Sequence, residues 1–398
     1  MARTALLAPL LALALVAGAC RSPDYGRPLP DGWPALIPLE PGEKRPDFSG
    51  DWRRHDEILP ALDRSIEWMH KPSSPRHFPL EGVSHARALA SLERFRGLLV
   101  QTRSAAEFDR RVAEEFTVYK SAGWNGKGGG VLFTGYFTPI LVGSRTPSTK
   151  YAWPLYALPP DLEKGPDGEI LGRRTATGLE EYPTRREIEA SGMLEGQGLE
   201  LVWLADPLDA FIAHVNGSAF VRLEGGEMLR FGYAGKNGRA YTSLGQELVK
   251  DKKIKARDLS LGAIRRWAAA HPGEIREYLA RNESYVFFTP IDGNPRGSLN
   301  VEVSAGRSLA TDKRLFPRGS IVYVDVRLPG KDGRARDFDR FLLDQDTGGA
   351  IRTAGRADIY LGIGDEAESV AGKTRSAGQL YYLFLPERAS SRQEPAAP

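Results

Sequence analysis

Residues 344–360 read DQDTGGAIRTAGRADIY, and the fold and chemistry of the chain turn on this stretch. Period-two alternation in the preceding DFDRFLLDQD (337–346) puts Asp344 and Asp346 on one face of a strand. Gly348 and Gly349 then permit a tight turn or a close backbone approach. In ADIYLGI (357–363), Ala357, Ile359 and Leu361 form an apolar face, while Asp358 and Tyr360 point the other way. An acid and a tyrosine on a strand that leaves a glycine-rich loop suit the wall of a cleft. Spacing alone leaves bland readings open. Asp346 before Thr-Gly-Gly equally suits a turn former, Arg352 and Arg356 suit ion pairs with a nearby aspartate, and Asp344 reads as structural.

Working outward, SHARALASLERFRGLLVQ (84–101) carries Ala88, Leu89, Leu92, Phe95 and Leu98/Leu99 at helical spacing, with Ser84 as its N-cap. A second helix is predicted in SAAEFDRRVAEEFTVYKSA, before GWNGKGGG (123–130) breaks the pattern. VLFTGYFTPILVGSR, LELVWLAD, GSAFVRL and EMLRFGYAGKNG then read as strands, with a short helix starting at Asp206-Pro207. Two helical pieces follow in 258–280, split by His271-Pro272-Gly273, and strands resume after Asn282. The expectation is a mainly β protein with peripheral helices.

Composition narrows the function. With 398 residues, 41% hydrophobic and 26% charged, the chain has the make-up of a globular protein of about two domains. Its net charge of +3, without a Lys/Arg run, gives no support for nucleic acid. Six scattered histidines never take a zinc spacing, so no metal is expected. No GxSxG elbow, P-loop or complete GxGxxG occurs, and the single cysteine, Cys20, lies far from the body of the chain. Carboxylate chemistry without a cofactor is what remains.

The N-terminus MARTALLAPLLALALVAGAC has a cationic start, an apolar run and small residues, as a secretory signal does. VAGAC resembles a lipobox, which makes Cys20 the lipidation site. Arg21 after it favours the outer membrane, with the protein facing the periplasm. Residues 21–50, rich in Pro, Gly and charge, read as a flexible tether, and 387–398 as a disordered tail.

Several long segments carry a family resemblance. DTGGAIRTAGRADIY with GRSLATDKRLFPRGS (306–320) resembles the three-aspartate domain, whose marker acids would fall on Asp312, Asp346 and Asp358. FTGYFTPI (133–140), FGYAGKNGRAYTSLG (231–245), SYVFFTP (284–290) and GRADIYLGIGDEAESVAG (355–372) are similar to the membrane-bound lytic murein transglycosylase A family, in collinear order. That resemblance implies a double-psi β-barrel catalytic domain made of residues 51–138 and 284–386. A smaller β-barrel (139–283) would be inserted, with a groove between the two.

It also implies cleavage of the MurNAc-β-1,4-GlcNAc bond of peptidoglycan to 1,6-anhydroMurNAc ends, with glycan strands as the partner. Asp358 of the DIY motif would be the acid, assisted by Asp346. Tyr136, Thr138, Lys236, Asn237, Tyr241, Gly349, Ala350 and Tyr360 would be the substrate contacts. The sequence names no cell-wall synthesis or divisome partner. A hydrolase on the same barrel and a non-catalytic murein-binding lipoprotein stand beside this reading. An aspartate near its ordinary pKa of ~3.9 would be a poor proton donor at neutral pH, so the enzymatic reading needs a site that raises it.

Overall fold

The computed structural model describes residues 23–165 and 168–387; the signal segment, Cys20 and all but the first residue of the C-terminal tail lie outside the described residues. Six strands close into a ring: β1 (Val131–Thr138), β2 (Ser308–Ala310), β3 (Ile321–Pro329), β4 (Ala335–Asp346), β5 (Arg356–Ile363) and β6 (Arg375–Phe384). Around the ring the order is β6-β3-β4-β2-β5-β1, and β1 pairs back onto β6. β4 with β2 and β5 with β1 run parallel, and the other pairs are antiparallel. The strands are rich in Val, Ile, Leu, Tyr and Phe, and their inward residues, among them Leu309, Val322, Leu342, Ile359 and Leu380, are fully buried.

From Thr138 the chain passes through Pro139 into a second, six-stranded sheet. Its order is 286–290, 228–236, 219–223, 140–144, 200–204, 153–156, and a bridge from Ala157 to Phe288 brings its two edges together. A three-stranded sheet (162–164, 170–175, 178–180) lies beside it. The protein is thus mainly β with two barrel-like sheets.

Three helices cover the first ring: α1 (His55–Met69), α2 (His85–Gln101) and α3 (Ala105–Glu115). Ser84 caps α2 by accepting the Arg87 N–H, and Ser104 caps α3 in the same way. Another helical layer comprises α4 (Pro207–Asn216), α5 (Leu261–Ala270) and α6 (Asp365–Ala371), with shorter helices at 244–250 and 275–280. It shares one apolar cluster, in which Leu208, Phe211, Trp267 and Ala371 pack with Phe137 of β1. This layer forms a wall of the cavity described below.

The structure departs from the sequence reading at four places. Residues 35–50 are not a free tether: Leu36–Pro38 add a strand beside Thr117–Ser121, and Phe48 is buried against Tyr323 and Phe341. Leu36 and Phe48 are large apolar side chains among the prolines, and burial outweighs the coil-forming composition. The second helix stops at Glu115, because the β-branched and aromatic run TVYKS pairs with β6 instead. SYVFFTP does not rejoin the first ring: Val286–Pro290 pair with 231–236 in the second sheet, and the ring resumes at Ser308. Asp365–Ala371 forms a helix that the strand reading overlooked.

A buried ion pair locks the N-terminal segment to the ring. Arg307, 1% exposed, donates to both carboxylate oxygens of Asp51 (2.6 and 3.1 Å), to Glu57 and to the Phe341 carbonyl. Asp51 in turn accepts the Phe341 N–H. Removing one partner leaves the other charge buried alone, so Asp51→Ala is expected to lose about 3–5 kcal/mol in urea unfolding. Arg110→Ala, whose partner Glu114 sits on an exposed helix turn, should lose under ~0.5 kcal/mol. Comparable losses in the two variants would refute the locking role.

Candidate active site

One row of matched positions crosses the ring. Thr134 of β1 lies opposite Asp358 of β5, Asp358 opposite Ala310 of β2, and Ala310 opposite Asp346 of β4. Matched positions on neighbouring strands share a face. Two inter-strand steps of roughly 4.8 Å therefore set the Asp346 and Asp358 Cα atoms about 10 Å apart. The small Ala310 side chain between them keeps the space open.

A bulge separates Asp344 from Asp346. The register steps from Leu309 opposite Asp344 to Ala310 opposite Asp346, which leaves Gln345 as an extra residue. The shared face expected from period two is therefore lost. Asp344 is fully buried, where it accepts from Thr311 (3.0 and 2.8 Å) and the Tyr382 hydroxyl (2.8 Å) and pairs with Lys313. Asp346 instead accepts from the Tyr136 hydroxyl and from the Ser298 and Thr347 N–H groups, each at 2.8 Å. Burial pushes its carboxyl up, against the pull of those hydrogen bonds.

Asp358 is half-buried, with Oδ1 shut off from solvent and without a hydrogen-bond partner. Burial pushes its pKa up to about 7 from an ordinary 3.8; Thr134 and Arg356 oppose that shift, and the Asp346 charge adds to it. The cause is visible in its surroundings. Asp358 lines a cavity of about 350 Å³ that Phe137, Leu208, Phe211 and Ile212 also line, and no other acid lines that cavity. Tyr136, Tyr241, Gly349 and Ala350 line it too. Gly349 stands so close to Tyr241 that an added Cβ would touch the tyrosine Cβ at 3.4 Å. Such a carboxyl, half-protonated at neutral pH beside an open cavity, is chemically a proton donor.

The remaining sequence candidates scatter. Thr138 is fully buried, with its hydroxyl 3.0 Å from that of Ser218 and 3.1 Å from that of Tyr360. Tyr360, 3% exposed, packs against Tyr136 at 5.1 Å between ring centres, so it supports the site from behind. Asn237, 2% exposed, spends its amide on the Pro183 and Glu283 carbonyls and accepts the Tyr285 N–H, a bracket between loops and not a cavity residue. Lys236 is half-buried, and burial together with Arg352 lowers its pKa. Asp312 is fully buried and holds Arg314 through both carboxylate oxygens (2.9 and 2.6 Å), a structural role. Sequence reading passed over Thr134, two positions before Tyr136 on one strand face, and Arg375, which carried no signal at all.

The geometry is that of a two-barrel protein with one raised carboxyl in a cavity. A family model described as "MltA specific insert domain" matches residues 132–289, and one described as "3D domain" matches 307–384. Membrane-bound lytic murein transglycosylase A of Vibrio cholerae is 35% identical over 268 residues, which cover 66% of this chain and 68% of that protein. The Escherichia coli protein of the same name is 35% identical over 260 residues, or 64% and 66% of the two chains. Among solved structures, a membrane-bound lytic murein transglycosylase from Agrobacterium tumefaciens superposes with a TM-score of 0.74 at 26% identity, covering 88% of this chain and 98% of that one. E. coli MltA with bound chitohexaose gives 0.65 at 25% identity, covering 92% and 97%. The chain belongs to the membrane-bound lytic murein transglycosylase A family and is an enzyme of the lyase class.

The raised carboxyl has a cost in stability that can be measured. Between pH ~4 and ~7 the folded protein binds a proton at Asp358 that the unfolded chain has released, so stability falls as pH rises through that window. Asp358→Asn removes the effect. Its unfolding free energy is expected to match wild type near pH 4 and to exceed it by up to about 4 kcal/mol above pH 7. Thermal unfolding at pH 4.5 and 8 checks this; equal shifts at the two pH values would contradict a raised acid.

Proposed function

We propose that this enzyme cleaves the β-1,4 bond between N-acetylmuramic acid and N-acetylglucosamine in peptidoglycan without water, leaving 1,6-anhydromuramyl ends. Asp358 acts first as acid and then as base. The observation that carries this reading is the raised carboxyl, one oxygen of which is occluded and without a hydrogen-bond partner, in a cavity with no second acid in its lining. Glycosidases that use a nucleophile or activate water need two carboxyl groups, some 5–5.5 Å or 6.5–9.5 Å apart. Here the other acid, Asp346, is tied up by three hydrogen bonds and is absent from the cavity wall.

The steps balance with one carboxyl. Asp358 gives its proton to the glycosidic oxygen, the bond from that oxygen to C1 breaks, and positive charge develops at C1 and the ring oxygen. The C6 hydroxyl of the same sugar then attacks C1, and its proton returns to the Asp358 carboxylate. Neither metal nor cofactor enters. In this reading Asp346 supplies negative potential toward the developing cation and fixes Tyr136. Tyr136, Tyr241, Gly349 and Ala350 offer ring faces and close backbone to the sugar.

The same reading takes the six-strand ring as a double-psi barrel, the segment from Pro139 through the 286–290 strand as the insert, and the cavity as part of a groove for a glycan strand. The bound chitohexaose of the E. coli relative supports a glycan ligand. Lipidation at Cys20 would anchor the protein to the outer membrane facing the periplasm, consistent with the "membrane-bound" in its relatives' names.

Mass spectrometry of digested sacculi tests the reaction. Wild type is expected to release anhydro-muropeptides. Reducing ends would instead indicate a hydrolase, and untouched glycan a binding protein. Asp358→Ala should lose turnover by at least ~100-fold while it keeps glycan binding; near-wild-type release would sink the assignment. Since the acid must start protonated, kcat/KM should decline on the alkaline side around pH 7. Asp346→Asn removes the nearby charge that favours the protonated form, so the same limb should move to lower pH. A limb that stays in place would leave Asp346 a scaffold residue.

A further inference from the structure

The rim beside Asp358 carries cations and no carboxylate. Arg375 opens β6 opposite Thr134, so Thr134 stands between Arg375 on one flank and Asp358 on the other. Arg356 precedes Asp358 by two positions in β5 and shares its face. With Arg352 they line a hollow of about 480 Å³, which Tyr241, Gly349 and Ala350 also line. That hollow is continuous with the Asp358 cavity, since Thr134, Tyr241, Gly349, Ala350 and Arg375 border both. No aspartate or glutamate lines the hollow.

Such a cluster works against itself. Burial is the largest influence lowering the two half-buried cations, Arg356 and Lys236; Arg375 adds to it at Arg356, against the pull of Asp358, and Arg352 adds to it at Lys236. Elsewhere on this chain guanidinium groups meet carboxylates, as in Arg94–Glu115, Arg186–Glu277 and Arg265–Glu368. Among the described residues no carboxylate pairs with Arg375 or Arg352, and the buried Nε of Arg356 has no hydrogen-bond partner. Three arginines around one hollow, with donors left over, fit a planar anion that a guanidinium can grip with two parallel bonds.

We propose that Arg352, Arg356 and Arg375 form a carboxylate-binding site next to Asp358, which holds the substrate by a carboxylate attached beside the scissile sugar. The inference rests on the lyase reading above and specifies what that substrate must carry. In peptidoglycan the carboxylate has two sources: the lactyl group of a muramyl unit stripped of its peptide, or the acidic residues of an attached stem peptide. Either would cancel the repulsion among the arginines. Either would also return negative charge to the neighbourhood of Asp358 and so favour its protonated form.

Four substrates decide it: peptide-free glycan strands, peptide-bearing strands, and each of these with carboxyl groups converted to methylamides. Turnover and binding are read for wild type, Arg375→Ala, Arg352→Ala and Arg375→Lys. Arg352 and Arg375 are exposed, so these changes leave the core intact. Wild type is expected to prefer the carboxylate form by about tenfold in kcat/KM, and Arg375→Ala to erase most of that preference. Arg375→Lys should restore part of it. A preference seen on peptide-free strands assigns the lactyl carboxylate, and one confined to peptide-bearing strands assigns the stem. Equal turnover of charged and amidated strands by wild type would overturn the carboxylate site and leave the lyase standing. A retained tenfold binding preference without any anhydro product would do the reverse.

Discussion

The whole arrangement depends on one parallel strand pairing, that of Arg356–Ile363 with Val131–Thr138. Thr134 and Arg356 are 222 positions apart, yet this ladder is what puts Thr134 against Asp358 and Tyr136 against Tyr360. Parallel neighbours need a crossover, and here the crossover contains an entire second sheet. Loop-closure entropy grows only slowly with length, so an insertion of this size is tolerated once its ends are fixed. The ends are fixed by packing. Phe137, one residue before the end of β1, is buried in the same cluster as Leu208, Phe211 and Ala371. Gly135 contributes by leaving room. An added Cβ there would lie 2.4 Å from Leu361 Cδ1 and 3.1 Å from the Ala371 Cα, so glycine lets β5 and α6 pack closely over β1.

The cluster that seals the seam also sets the chemistry. The apolar side chains at 137, 208, 211 and 212 line the same cavity as Asp358, and withdrawing water from a carboxylate favours its neutral form. Burial is the largest influence on this group, and Arg356 and Thr134 only moderate it. A closer ion pair with Arg356 would pull this carboxyl back toward its ordinary acidity. The arginine is two residues along the same strand, near enough to temper the acid without neutralising it. A carboxyl held in its raised state thus costs the fold stability at neutral pH.

Much of the fold was legible in sequence because its elements obey simple periods. Ser84 and the three- and four-residue spacing gave α2, Asp206-Pro207 gave the start of α4, and the alternation in ADIYLGI gave β5 with its buried Ala357 and Ile359. What failed was long-range. Val286–Pro290 reads as a strand of either sheet, and only its partner at 231–236 decides between them. The prolines of residues 35–50 hid a segment whose few large apolar side chains find a home on the ring. In the site, Asp358, Tyr136, Tyr241, Gly349 and Ala350 could be named from motifs that meet at one cavity. Thr138 and Asn237 stand in the same motifs and turn inward, because burial depends on which face a neighbour covers. Arg375 could not be found at all: its place beside Thr134 comes from closure of the ring between strands with no local relation.

The four aspartates at this end of the ring, 312, 344, 346 and 358, have the same side chain and four different fates. The difference lies in what each can reach. Asp312 is clasped by Arg314 two residues on, and Asp344 by Lys313 across the strand. Asp346 faces no cation of its own, but the Gln345 bulge turns it toward two backbone N–H groups and a tyrosine, which can hold a carboxylate. Asp358 alone of the four keeps an occluded oxygen, Oδ1, that no donor reaches. Had β4 continued without the bulge, Asp346 would have kept the face of Asp344, and Tyr136 would have lost its acceptor. Removing that fixed negative charge would lower the affinity of Asp358 for its proton. One inserted residue in a strand therefore gives Asp344 and Asp346, two positions apart, entirely different partners.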